Sequence, residues 1–268
     1  MATQDKKESA SESTQNTQYD QIGTKYNAIK LLPAAEPEEP SIRAALGDIT
    51  GKRCLDLACG TGKYTALLAA LGASSVHGYD ISSTMIAGAK ASYPASSYPN
   101  LTFAVADCSI PGALAHSEQP FDIVFASWFL NYAGTETELT NMFRVVDGAL
   151  KPGGRFVSLT TNIHDPRVQE TKLDFYGLDV VVLDREYVAP DTGAVVGITA
   201  RVVMKGDAPF QFDVYQFKKE VYERCAKEAG FRIRWCGLEV PDDERKGTGF
   251  WDEFRERATF VILEAERI

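Results

Sequence analysis

Short apolar segments alternate with helix-length segments between residues 53 and 160, and this alternation limits the possible folds more than any other feature of the sequence. Residues 62–71, 82–91 and 135–150 have helical patterns, and the last begins with a Thr135-x-x-Glu138 capping box. Strands alternating with helices predict right-handed crossovers and a parallel sheet covered on both faces. The candidate strands are residues 53–58, 75–79, 101–106, 121–126 and 155–160.

The segments on either side of this block have different patterns. Residues 1–18 contain almost no apolar side chains and are predicted to form a loose tail. Apolar residues at three- and four-residue spacing predict a substrate-side helix over 19–32, followed by a proline-rich connector over 33–40. Residues 163–215 predict a β-rich insertion of antiparallel strands, and the chain ends with a helix closed by Gly230 and strands at 231–238 and 258–265. We expect residues 19–268 to form a single domain.

Composition excludes several classes of protein. The 268 residues include 28 basic and 37 acidic side chains, which give a net charge of −9, and 44% are hydrophobic. An acidic chain is a poor match for nucleic acid, and no run approaches the roughly 18 apolar residues of a membrane span. No secretory signal pattern is visible at Met1, and the five cysteines form no CxxC pair. We therefore expect a cytoplasmic protein with no metal site.

The turn after the first predicted strand carries the strongest functional signal. An apolar strand enters a glycine turn that contains Gly60 and Gly62 and then a helix, a geometry that brings backbone N–H groups close to a ligand. The dinucleotide fingerprint fails because Thr65 takes the place of its third glycine. The Walker loop fails because Tyr64 follows Lys63 where a serine or threonine is needed.

Asp56, just before this turn, discriminates between the remaining ligands. Its carboxylate would repel a pyrophosphate but suits a ligand that carries an ammonium group, and S-adenosylmethionine is such a ligand. The segment resembles the first motif of the class I S-adenosylmethionine-dependent methyltransferases, [DE]-x-[GA]-x-G-x-G, which Asp56, Ala58, Gly60 and Gly62 match. Residues 121–128 and 151–156 resemble later motifs of the same family, in the same order.

The resemblance implies a set of cofactor contacts. Asp80 would bind the ribose hydroxyls, although an NAD site would also place an acid there. Asp107 would accept a hydrogen bond from the adenine amino group, and the backbone of Cys108 would meet the ring. The other implied cofactor-binding residues are Ile81 and Met85 against adenosine, Ser127 after the fourth strand, and Tyr19 and Tyr26 on the N-terminal helix.

The same resemblance implies the fold and the function. The implied fold is α/β, a Rossmann-like, doubly wound, mostly parallel seven-stranded sheet with an antiparallel last strand pair and a β-rich insertion. The implied activity is methyl transfer to an O, N or S atom of a small molecule, a metabolite or natural product, as in the similar quinone-biosynthesis and glycine-type N-methyltransferases. Two alternatives stay open: a non-catalytic S-adenosylmethionine-binding partner subunit, and an NAD-dependent oxidoreductase, which Thr65 and Asp56 disfavour.

Methyl transfer from a sulfonium needs alignment more than a catalytic side chain. If a base is used, His164 is the candidate, since it follows the fifth strand, whereas His77 lies in a predicted strand and His116 in a loop. Acceptor recognition is expected from the N-terminal helix, from residues 163–215, and from the end of the fourth strand, where Asn131 leaves the sheet. The candidate substrate contacts are Trp128, Tyr132 and Tyr176.

Overall fold

The computed structural model describes residues 18–114, 120–206 and 208–268, and these contain two β-sheets. The larger sheet has seven strands in the order β10-β11-β5-β4-β1-β2-β3. Strands β1 to β5 run parallel, and β11 lies antiparallel between β5 and β10. The predicted Rossmann-like sheet with an antiparallel last pair is confirmed. Its strands are β1 Arg53–Leu57, β2 Ser75–Asp80, β3 Leu101–Val105, β4 Phe121–Ser127, β5 Leu150–Thr161, β10 Phe231–Cys236 and β11 Phe260–Arg267.

Helices cover both faces of this sheet, which explains why its central strands are apolar throughout. Cys54 points to one side of β1, and Leu55 and Leu57 point to the other, yet all three are fully buried. Helix α5 begins as its capping box predicts, with Thr135 Oγ1 accepting from the Glu138 N–H at 3.0 Å. The other α-helices of the described residues are α1 Tyr19–Ile22, α2 Glu38–Leu46, α3 Lys63–Ala70, α4 Ser83–Ser92, α6 Lys219–Glu228 and α7 Asp252–Arg257, and α5 itself spans Glu136–Ala149.

The predicted β-rich insertion forms the second, antiparallel sheet, with strand order β6-β7-β8-β9. Apolar residues at alternate positions of its last two strands, including Ala200, Phe212 and Val214, pack against Ile22 of α1. The short edge strand β6 was not predicted. The strands are β6 Lys172–Phe175, β7 Leu178–Val188, β8 Val195–Met204 and β9 Phe210–Phe217.

The N-terminal segment differs from its prediction. Instead of one helix over 19–32, α1 ends at Ile22 and a 3-10 helix runs over Gly23–Leu31, because Gly23 turns the chain with φ +55°. The connector predicted over 33–40 contains the start of α2. Pro40 lies in the first turn of α2, where a missing N–H costs no helical hydrogen bond.

Strand β5 begins earlier than predicted. Residues 151–154, between the predicted helix and the predicted strand, lie inside β5, where the pairing with β4 shifts register. The predicted tail lies outside the described residues except for Gln18, whose side-chain amide exchanges two hydrogen bonds with the backbone of Asp213 on β9. None of the helices in the described part of the chain combines the length and hydrophobicity that crossing a membrane requires.

Candidate functional site

The glycine turn between β1 and α3 requires three residues with positive φ. Ala58, Gly60 and Gly62 have φ of +55°, +54° and +84°, a region that glycine enters without steric cost. A side chain at Gly62 would also collide, since its Cβ would lie 3.0 Å from the rings of Tyr93 and Phe103. The turn thus carries glycine because of its backbone conformation and its packing, and Ala58 adopts the same strained conformation.

Asp56 lies beneath this turn and is 1% exposed. Its Oδ2 accepts a hydrogen bond from Thr65 Oγ1 at 2.6 Å. Burial raises the pKa of the carboxyl to about 7, and the negative charge of Asp80 adds to this, while Thr65 and Lys30 favour the ionised form. Asp56 is therefore poised to ionise when a cation comes close to it.

Two further carboxylates lie at the ends of neighbouring strands. Asp80 ends β2 and accepts from the N–H groups of Gly60, at 2.8 Å, and Ser82, at 2.9 Å. Burial raises its pKa although both hydrogen bonds oppose this. Asp107 follows β3 and its Oδ1 accepts from the N–H and hydroxyl of Ser109, which holds the chain in a turn rather than a helix. Because the strands are parallel, these acids meet at one edge of the sheet.

The N-terminal segment closes over this edge. Ser82 Oγ donates to Asp20 at 2.6 Å, which fixes α1 on the start of α4. Lys30 Nζ donates to Thr61 Oγ1 of the glycine turn at 2.9 Å. Burial, together with the charge of Lys63, lowers the pKa of Lys30 to about 8. A cationic group thus lies close to the N-terminus of α3, where the helix dipole also favours an anion.

A buried glutamate joins three elements on another side of the same space. Glu38, at the start of α2, accepts from Trp128 Nε1 at 2.9 Å and from the hydroxyl of Tyr64. Trp128 directly follows β4 and has φ +55°, a strained conformation for a large side chain. The indole ring is therefore held in place by a carboxylate from a helix about 90 residues away in sequence.

These groups line one cavity of about 190 Å³. By the same measure a single water molecule needs roughly 10–15 Å³, so the cavity can hold a much larger ligand. The opposite wall is apolar and comes from the second sheet, including Val180, Ala200, Val202, Phe212 and Val214. Most of the predicted site residues line the cavity: Tyr19, Tyr26, Asp56, Ala58, Gly60, Asp80, Ile81, Met85, Asp107, Cys108, Ser127, Trp128 and Tyr132.

Three predicted residues do not line it. Gly62, the last glycine of the turn, faces the rings of Tyr93 and Phe103 rather than the cavity. His164 is exposed and packs edge-on against Trp235, because Asn162 Oδ1 accepts from its N–H and turns the chain to the surface. Tyr176 stacks on Trp251 and donates its hydroxyl to the Phe250 carbonyl at 2.5 Å.

One of the two remaining histidines lies within the described residues. His77 lies on β2, edge-on to Phe121, and His116 lies outside the described residues. The described residues contain no group of three or more histidine, cysteine, aspartate or glutamate side chains that could hold a metal ion.

Comparison with known proteins agrees with this geometry. Residues 54–154, from β1 to the start of β5, match the family model described as a methyltransferase domain. Over these residues the chain is similar to the class I S-adenosylmethionine-dependent methyltransferases, the family whose motifs the sequence resembles. A demethylmenaquinone methyltransferase from Lactococcus lactis is 38% identical over 52% of this chain and 53% of the relative. The chain thus spans about half the length of this curated relative.

Solved structures share the fold over most of the chain. An S-adenosylmethionine-dependent methyltransferase from Mesorhizobium loti superposes with a TM-score of 0.60 at 23% identity, covering 86% of this chain and 98% of its own. A DhpI–SAM–HEP complex gives a TM-score of 0.61 at 18% identity, covering 94% and 96%. At these identities the likeness concerns the fold.

The family cofactor, S-adenosylmethionine, fits the residues of the cavity. Its ammonium group matches Asp56, and its carboxylate matches the cationic corner at Lys30 and the N-terminus of α3. The buried hydroxyl of Ser127 lines the cavity next to the glycine turn and has no hydrogen-bond partner among the described residues, which leaves a polar atom for a ligand.

Sequence reasoning missed Lys30 and Glu38 and named Asn131 only as a residue that leaves the sheet. Lys30 lies in a segment whose helical type was predicted wrongly, so its position relative to Thr61 could not be derived. Glu38 was assigned to a connector. Asn131 gave a signal, a single polar residue within the apolar run that includes Trp128 and Tyr132.

Proposed function

We propose that this chain transfers a methyl group from S-adenosylmethionine to an O, N or S atom of a small molecule. The observation that carries the proposal is a single cavity that runs from the glycine turn and its three carboxylates to the apolar wall of the second sheet. A cofactor at the first end and an acceptor at the second would face each other within this cavity.

In this proposal the cofactor is held along the edge of the sheet. Asp56 binds its ammonium group and Lys30 its carboxylate, at the two sides of the glycine turn formed by Ala58, Gly60 and Gly62. Asp80 binds the ribose hydroxyls, and Asp107 accepts from the adenine amino group. The remaining proposed contacts are Ile81, Met85 and Cys108 around the adenosine, Ser127 through its free hydroxyl, and Tyr19 and Tyr26 over the methionine end.

When bound, S-adenosylmethionine supplies a methyl group that its sulfonium already activates. The chain contributes alignment and the exclusion of water, which together can lower the barrier by about 7–11 kcal/mol. Tyr19, Tyr26 and Tyr132 stay protonated near neutral pH, since burial raises the pKa of each phenol. With His164 at the surface, we propose that transfer proceeds by proximity. S-adenosylhomocysteine is the leaving group, and the proton of a neutral acceptor passes to water rather than to one of these residues.

A small acceptor is supported by the cover over one end of the cavity and by the relatives. The N-terminal segment covers the glycine turn through the hydrogen bonds of Asp20 and Lys30, so this end of the cavity is only partly open. The curated relative acts on demethylmenaquinone, a small molecule, as its name states. A net charge of −9 argues against a nucleic-acid acceptor.

Calorimetry with S-adenosylhomocysteine, 5′-methylthioadenosine and NAD tests the cofactor part of the proposal. The first two should bind and NAD should not. Lys30→Met should weaken S-adenosylhomocysteine about 10-fold, the value of one charge-assisted hydrogen bond, and leave methylthioadenosine unchanged because that ligand has no carboxylate. Binding of NAD, or no binding of S-adenosylhomocysteine at near-millimolar concentration, would refute the proposal.

A further inference from the structure

Asn131 is a buried polar residue of the cavity that the proposed cofactor does not use. It lies in the 3-10 turn Leu130–Tyr132, just beyond the end of β4, and is 1% exposed. Both polar atoms of its side-chain amide lack a hydrogen-bond partner among the described residues, and the residue lines the cavity. The Asn131 amide lies close to the Tyr132 phenol and favours its ionised form, against the larger effect of burial, which raises the pKa of this phenol, but the two groups do not meet in hydrogen-bond geometry.

Such an amide lowers the stability of the fold unless a ligand forms hydrogen bonds with it, because burial removes its hydrogen bonds to water and no protein group replaces them. The charged side chains of the cavity are already engaged by groups of the protein itself. Their partners are Thr65 for Asp56, Gly60 and Ser82 for Asp80, Ser109 for Asp107, Trp128 and Tyr64 for Glu38, Thr61 for Lys30, and Asp165 for Lys172.

The phenol of Tyr132, next to Asn131, lies among other aromatic side chains. Tyr132 shares a hydrogen bond with Tyr19, whose ring packs edge-on against Tyr26 and tilted against Phe212. Both phenols of the hydrogen-bonded pair are neutral near pH 7, because burial raises their pKa. Beyond them lies the apolar wall of the second sheet. This end of the cavity thus offers aromatic rings and apolar side chains, together with the donor Nδ2 and the acceptor Oδ1 of the Asn131 amide.

We propose, on the basis of the function proposed above, that Asn131 binds the methyl acceptor, and that this acceptor is an uncharged aromatic molecule with a hydroxylated edge. The amide Nδ2 donates to one oxygen of that edge, and the amide Oδ1 accepts from a neighbouring hydroxyl. Ser127 stays with the cofactor, because it lies beside the glycine turn on β4, whereas Asn131 is one turn further along the chain. Asn131 orients the acceptor and takes no proton.

The test compares Asn131→Leu with a matched control, Asn162→Leu. Asn162 is also a buried asparagine, but its amide donates to the Ala258 carbonyl at 3.1 Å and accepts from the His164 N–H at 2.9 Å. Leucine has the same number and branching of side-chain heavy atoms as asparagine and carries no polar atom. Asn131→Leu should raise Tm by about 2–4 °C, since an unsatisfied group is removed, whereas Asn162→Leu should lower it.

Binding is measured at the same time with naphthalene-2,3-diol and with 2,3-dimethylnaphthalene, each in the presence of saturating S-adenosylhomocysteine. Wild-type protein should bind the diol in preference to the dimethyl compound. Asn131→Leu should weaken the diol about 5- to 10-fold and leave the dimethyl compound and S-adenosylhomocysteine unchanged, the effect of one or two hydrogen bonds.

Several results would overturn the inference while leaving the proposed function intact. If Asn131→Leu lowers Tm as Asn162→Leu does, the amide is satisfied within the fold. If wild-type protein does not prefer the diol, or the variant keeps that preference, the acceptor class or the role of Asn131 is wrong. Failure of the proposed function gives a different result, because S-adenosylhomocysteine would then not bind to wild-type protein.

Discussion

At the scale of single residues, the environment of Asp56 sets a pH dependence for cofactor binding. The carboxyl is buried beneath the glycine turn, and its pKa is raised to about 7 from an ordinary value of 3.8. Between about pH 4 and pH 7 the unliganded folded protein holds a proton there that the unfolded chain has released. Stability at this site is therefore fully present below about pH 4 and is lost as the pH rises through 7. A bound ammonium group favours the ionised carboxylate and reverses that preference.

We predict that the affinity for S-adenosylhomocysteine falls about 5-fold when the pH decreases from 8 to 6. Asp56 must then release its proton before it can bind the ammonium group, a loss of about 10-fold, and Lys30, with a pKa of about 8, gains charge for the ligand carboxylate, which offsets about 2-fold of that loss. Calorimetry in two buffers with different ionisation enthalpies measures both the affinity and the proton released. Asp56→Asn should bind weakly and without this slope, and 5′-methylthioadenosine, which has no ammonium group, should show no slope with wild-type protein. The same slope for methylthioadenosine would contradict this role of Asp56.

Ala58 provides a second prediction at this scale. Its φ of +55° is unfavourable for a residue with a Cβ, by about 1–2 kcal/mol, whereas glycine pays only a smaller entropic penalty there. Ala58→Gly should therefore stabilise the protein by about 1 kcal/mol in urea unfolding. Ala66→Gly, in the interior of α3, is the control and should destabilise it by a similar amount. Destabilisation by both variants would mean that the Ala58 methyl group contributes more by packing than its backbone strain costs.

At the scale of elements, the start of α5 is held by a side-chain cap that the sequence predicts. Thr135 Oγ1 accepts from the Glu138 N–H, and Glu138 in turn accepts from the Gly134 N–H at 2.7 Å. Thr135→Ala should lower the free energy of unfolding by about 1 kcal/mol in urea titration, while Thr135→Ser, which keeps the hydroxyl, should cost much less. Equal losses in both variants would show that the threonine methyl group, not the cap, stabilises this end.

The elements divide into those that a local pattern determines and those that it does not. The strands of the large sheet and helices α3 to α6 were predicted closely, because each buries both faces or one clear stripe and ends at a recognisable turn. Helix α7 was not predicted, and the segment over 19–40 was predicted wrongly. Its 3-10 helix follows from the backbone of Gly23 and its packing under the second sheet, and α2 begins at Glu38 despite a nearby proline.

The same division applies to the candidate site. Asp56 was predicted from its place before the glycine turn, and Asp80 and Asp107 from their places after strands that the family resemblance assigns to cofactor binding. Lys30 and Glu38 could not be predicted, since their contacts with Thr61 and Trp128 join segments that no short-range pattern relates. His164 was predicted from its place after β5, but the hydrogen bond that its N–H donates to Asn162 Oδ1 directs the chain outward.

At the scale of the whole molecule, the cavity exists because three separate parts of the chain meet. The large sheet supplies the glycine turn and its acids, the second sheet supplies an apolar wall, and the N-terminal segment bridges the two. Gln18 forms hydrogen bonds with β9 of the second sheet, and Asp20 accepts one from Ser82, which follows β2 of the large sheet at the start of α4. The segment is thus attached to both parts of the fold within three residues. Cofactor and acceptor sites are thus expected to form together when the N-terminal segment is in place.

The measurement that tests the central claim most directly follows a labelled methyl group from S-adenosylmethionine. Wild-type protein is incubated with a cell extract separated into small-molecule and macromolecular fractions, with Asp80→Asn as the control that loses a ribose contact. We predict label in a product of the small-molecule fraction, in amounts equal to the S-adenosylhomocysteine formed, and much less with Asp80→Asn. Label only in macromolecules would contradict the acceptor class. S-adenosylhomocysteine binding without transfer to either fraction would contradict catalysis and indicate a cofactor-binding subunit.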